Sequence, residues 1–158
     1  MSDIMETVLS TKHVMNGLID IIVDVAAQCD VDLDRDAARF EFQAFGIYIS
    51  AADSDISSEE IEFFNILFDT SFTSQDMPEL IRIVGERHKQ FVRDLQMPGW
   101  ALCKVLDEST GNHDVTNLYI DTMDMVMRLF ALVDGNSDAK EEQFISDFAS
   151  KLRMDRMK

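Results

Sequence analysis

The chain has 158 residues, 46% hydrophobic and 28% charged, and carries 30 acidic against 14 basic side chains for a net charge of −16. A chain of this size buries enough surface to fold without a disulfide or metal staple, so residues 1–158 are expected to form one domain, and the apolar content excludes a disordered chain. Nucleic acid and anionic membranes are bound through Lys and Arg, so this balance argues against both and favours cations, basic proteins or simple solubility.

Helical periodicity runs through the whole chain, and no alternating strand pattern interrupts it. From Ile4 to Ala27 the apolar positions Ile4, Val8, Val14, Met15, Leu18, Ile21, Ile22, Val25 and Ala26 fall at spacings of three and four, which predicts an amphipathic helix. Asp3 and Glu6 stand where a secretory leader needs positive charge. No apolar run approaches the ~18 residues of a membrane span. A cytoplasmic location is expected, without direct membrane insertion. Cys29 and Cys103 each sit in an apolar stretch with no CxxC partner, and both are expected to be buried reduced thiols.

The acidic run Asp30-Val31-Asp32-Leu33-Asp34-Arg35-Asp36 ends the first helix. Asp34 is placed to cap a second helix reaching about Ala52, apolar on most sides and therefore central. Asp30, Asp32, Asp34, Asp36 and Glu41 also occupy positions 1, 3, 5, 7 and 12 of an EF-hand-like loop, a spacing of hard oxygen ligands that suits Ca²⁺. Arg35 stands where that loop's sharp turn wants glycine, so capping and solvation are the competing role for these acids.

Ser57 followed by Glu60 is a capping-box pattern opening a third helix through Ile61, Phe63, Phe64, Leu67 and Phe68. Pro78 fits the first turn of a fourth helix, predicted to continue through Leu95. Met97-Pro98-Gly99 breaks it, and a short helix from Trp100 to Leu106 follows. The sixth helix is expected from Val115 to about Val133, and a last one to about Arg153. Trp100 is either a core anchor or an exposed contact. Met123, Met125 and Met127 are either core filling or an adaptable binding surface.

Residues 49–64 and 130–145 repeat one pattern: an apolar helix end, Asp, a small residue, Asp or Asn, a polar stretch, Glu, then a new apolar helix. Asp53 matches Asp134, Asp55 matches Asn136, and Glu60 matches Glu141. Two helix–turn–helix hairpins related by pseudo-twofold symmetry follow, inside an all-α bundle of about seven helices. Turns and helix caps account for these side chains on their own. The repeated unit resembles the TerB-like family of tellurite-resistance and stress-associated proteins, over about residues 40–68 and 125–150. Ser54 stands where that family's turn carries glycine, and Ser137 where it carries an apolar residue. The resemblance implies a seven-helix bundle acting in stress-response or membrane-associated complexes, with other proteins as partners. It also implies a divalent cation, Ca²⁺ or Mg²⁺, held by Asp53, Asp55, Glu60, Asp134, Asn136 and Glu141.

The charge is uneven. Residues 1–76 carry 16 acidic and 3 basic side chains, a net −13, and residues 77–158 carry 14 and 11, a net −3. Arg82, Arg87, Lys89 and Arg93 are expected to pack near the acidic half and offset it, with a dedicated binding surface as the alternative. No catalytic residue is assigned. His13, His88 and His113 are isolated, and zinc-type HExxH, nucleophile-elbow and phosphate-loop motifs are absent. The leading expectation is an acidic interaction or scaffold module of the TerB-like type. A Ca²⁺-binding regulator using residues 30–41 and an enzyme of unrecognised type are the alternatives, and self-association is left open.

Overall fold

The computed structural model describes residues 3–51, 56–134 (Asp134 as backbone only) and 139–157. Its seven α-helices are α1 (Asp3–Gln28), α2 (Arg35–Ser50), α3 (Ser58–Phe68), α4 (Met77–Glu86), α5 (Pro98–Thr110), α6 (Asp114–Asp134) and α7 (Ala139–Asp155). No strand occurs among the described residues, and none of their helices is long and apolar enough to cross a membrane.

Local signals start and stop most of these helices. The apolar stripe of α1 buries Val8, Met15, Leu18, Ile19, Ile22 and Val25. Asp30 then takes a left-handed backbone (φ 55°), and the Val31 amide donates back to the Ala26 carbonyl at 2.8 Å, a Schellman ending. This stop comes just before Cys29 can turn inward: Cys29 is exposed, contrary to expectation, whereas Cys103 is buried. Asp34 caps α2 by accepting from the Ala37 amide at 2.8 Å. Ser57 and Glu60 form the full capping box of α3.

The fourth helix departs from the sequence reading. It ends at Glu86 rather than continuing through Leu95, because the chain widens into a π-helical turn at Lys89–Arg93 and Leu95 adopts a left-handed backbone (φ 54°). Lys151 of α7 donates to the freed carbonyls of Val92 and Arg93, at 2.6 and 3.0 Å. The fifth helix is longer than expected, extending to Thr110 before Gly111 (φ 76°) stops it.

The α2–α3 and α6–α7 hairpins interlock. The α2 helix lies against α6, and Gly46 of α2 allows the contact: a Cβ there would come within 2.8 Å of the Phe130 ring. Phe64 and Phe68 of α3 pack on Phe130 of α6, while Phe148 of α7 packs on Phe45 of α2. Each second helix thus reaches the first helix of the other hairpin. Trp100 is fully buried, which makes it a core anchor. Met123 and Met127 are core, and Met125 is half-buried.

Candidate functional site

The repeat brings Glu60 and Glu141 to equivalent places. Each is the third residue of its helix and each is almost fully buried, at 1% and 4% exposure. Glu60 Oε1 accepts the Ser57 amide at 3.0 Å, while Oε2 is buried with no hydrogen-bond partner among the described residues. Asp53, Asp55, Asn136 and the side chain of Asp134 lie outside the described residues.

The acidic run from Asp30 does not gather into a pocket. Asp30, Asp32, Asp34 and Asp36 are all exposed, with Asp30 ending α1, Asp34 capping α2 and Asp36 pairing with Arg39. Glu41, expected to close that loop, instead faces inward at 1% exposure, with both oxygens taken. It is no ligand of that loop. Helix periodicity explains this: with Phe42, Phe45 and Ala38 it lies on the face of α2 that enters the core. Among the described residues no three His, Cys, Asp or Glu side chains are grouped to hold a metal ion.

Glu41 is the centre of a buried polar network. Its Oε1 accepts the Tyr119 hydroxyl at 2.6 Å, and its Oε2 accepts the Gly99 amide at 2.7 Å. The Trp100 amide, next along the same turn, also favours its charge. The carboxylate of α2 therefore serves as the N-terminal cap of α5, a helix it does not belong to, where amides lack carbonyl partners and the dipole favours negative charge. Burial pushes the Glu41 carboxyl up from 4.5 to about 7, outweighing the three donors that pull the other way. Tyr119 and Cys103 are likewise pushed up, chiefly by burial and further by the nearby Glu41 charge.

A second cap of this kind sits at the other end of α5. Asp107, 4% exposed, accepts the Val115 and Thr116 amides of α6 at 3.0 and 2.8 Å. Beside it opens a cleft of about 670 Å³ whose wall includes Lys104, Asp107, His113, Asp155 and Arg156. One ion pair crosses its wall: Asp155 Oδ2 accepts both Lys104 Nζ, at 2.7 Å, and Trp100 Nε1, at 2.8 Å, while Arg156 donates to the Asn117 side chain. Neither Glu41 nor Asp107 was marked by sequence reasoning as an inward cap. The available signal was an acid on the apolar face of a helix.

The surface charge remains divided. The three cations of the first half pair within it, Lys12 with Asp69, Arg35 with Asp20 and Arg39 with Asp36. Arg82 binds Glu79 and Glu86 of its own helix, Arg87 binds Gln90, and Arg93 lies by Asp94. Among the described residues no ion pair joins a cation of residues 77–158 to an acid of residues 1–76. The expected offset by Arg82, Arg87, Lys89 and Arg93 is thus not made through ion pairs among the described residues: Arg82 and Arg87 are held by neighbours one helical turn away, and Arg93 lies by the adjacent Asp94. No family model, curated protein or solved structure matches the chain.

Proposed function

We propose that the protein is an acidic, helical interaction module of the TerB-like type that docks basic segments of other proteins. The observation that carries this reading is the acidity of residues 1–76, which have a net charge of −13 and draw no ion pair from the cations of residues 77–158 among the described residues. An uncompensated field of one sign steers oppositely charged partners and sets their orientation. In this reading a divalent cation, Ca²⁺ or Mg²⁺, binds at the repeat turns and stiffens the hairpins. Glu60, whose second oxygen is buried just after the first turn with no partner among the described residues, supports that part.

The test is calorimetric titration with a Lys- and Arg-rich helical peptide at low and physiological salt. Neutralising Asp24, Asp32 and Glu62 together (to Asn, Asn and Gln) is expected to weaken binding markedly more than neutralising Glu108, Asp121 and Asp147 in the second half. Equal losses would mean only bulk charge is felt and would overturn the reading. A parallel titration of chelator-stripped protein with Ca²⁺ and Mg²⁺, against an Asp53→Asn/Asp134→Asn variant, tests the cation separately.

A further inference from the structure

We propose that Glu41, Tyr119 and Met97 form a proton switch that holds the first turn of α5 in two chemically distinct states. With Glu41 ionised, its oxygens receive the Tyr119 hydroxyl and the Gly99 amide, and the Trp100 amide also favours the charge. No proton is left without an acceptor. When Glu41 binds a proton, its new O–H needs an acceptor, and the two amides can only donate.

Tyr119 is the group that can reverse. Its hydroxyl oxygen also lies 3.4 Å from Met97 Sδ. Rotation of the hydroxyl lets Oη accept from Glu41 while its own hydrogen turns to the thioether, a weak acceptor. One proton enters from solvent, one hydroxyl rotates, and every buried donor keeps a partner. Both states are therefore complete, which is what permits exchange without unfolding.

The surroundings place this exchange near neutrality. No Lys, Arg or His is among the groups that shift Glu41. The titratable groups facing it are Tyr119 from α6 and Cys103 from α5, with Asp107 further along α5 acting on Cys103. Burial raises both the phenol and the thiol, so both stay neutral when the carboxyl titrates. The carboxyl itself is raised to about 7. Above that pH the α5 amides face a full negative charge, and below it an uncharged carbonyl, a weaker partner for a helix N-terminus. The α5 helix also carries Ala101, Lys104 and Val105 of the cleft wall, so the switch acts on the mounting of that wall.

Trp100 is the only tryptophan of the chain, and its ring lies 5.2 Å from that of Tyr119. Its fluorescence in the full-length protein is expected to change with a one-proton midpoint near pH 7. Glu41→Gln should abolish the transition. Met97→Leu, which conserves volume but removes the acceptor of the protonated state, should move the midpoint to lower pH. A wild-type protein with no transition between pH 6 and 8, a transition that persists in Glu41→Gln, or a midpoint unmoved in Met97→Leu would each overturn the switch. Should Glu41→Gln fail to fold, carbon-13 NMR of carboxyl-labelled glutamate in the wild type reads Glu41 directly. A midpoint near 7 supports the proposal, and one below 5 ends it.

Discussion

The Glu41 carboxylate and the Gly99 amide meet at 2.7 Å across two helices, so closely that a Cβ on residue 99 would lie 2.8 Å from the carboxylate oxygen. Glycine at this position is what lets a side chain of α2 stand in for the turn that does not precede α5. Burial opposes the charge and the helix N-terminus favours it, and the raised carboxyl shows that burial wins.

Stability should therefore depend on pH through Glu41. Its folded pKa lies above the unfolded value, so its contribution is full below 4.5, declines as pH rises to about 7 and is level beyond. The total is about 3 kcal/mol. Urea unfolding at pH 4.5, 6 and 8 checks this as the difference between wild type and Glu41→Gln, which should shrink the slope across that window.

Two glycines make opposite predictions. Gly46→Ala forces a methyl to within 2.8 Å of the buried Phe130 ring and should cost about 1–3 kcal/mol. Gly85→Ala, in an exposed stretch of α4 where a Cβ meets nothing, should stabilise by about 0.5–1 kcal/mol. Thermal denaturation of both variants is the measurement, and the sign of the difference is the outcome.

Asp107→Ala removes the acceptor for two amides at the start of α6 and is expected to cost about 1–2 kcal/mol. Asp107→Asn keeps one acceptor oxygen and should recover part of that loss. Equilibrium urea denaturation of the pair separates the hydrogen bonds from the space the side chain fills.

The two thiols should differ in reactivity. Cys29 is exposed, and Cys103 is buried with its thiol pushed up by burial and by the nearby acids. A disulfide reagent added to native protein is expected to modify one thiol per chain, and two after denaturation. Protection of Cys29, or rapid labelling of Cys103, would contradict the packing of α1 or α5.

What was legible in the sequence was local. Asp34 and Ser57 cap their helices through bonds to amides three residues on, and the apolar spacing of α1 needs only its own residues. Glu41 was illegible as a cap because its partner lies 58 residues away, brought near by tertiary packing alone, and Asp107 because its partners lie 8 and 9 residues on, across the turn at Gly111. Cys29 misled because an apolar neighbourhood does not reveal that the helix stops there. The π-helical turn at Lys89–Arg93 was hidden because residues of ordinary helical character supply it, and Lys151 from another helix satisfies its carbonyls. Of the repeat-turn acids, Glu60 and Glu141 fall at matching positions in α3 and α7, which the spacing did foretell.

The two borrowed caps also bear on how the protein assembles. An isolated helix of this length is marginal in water, and α5 has no side-chain cap of its own at its N-terminus. Its starting amides are satisfied only once α2 has arrived, and α6 in turn starts on a carboxylate that α5 delivers. These three segments therefore gain order together, as one cooperative block, and their amide hydrogens should exchange with deuterium at a common, late rate set by global opening.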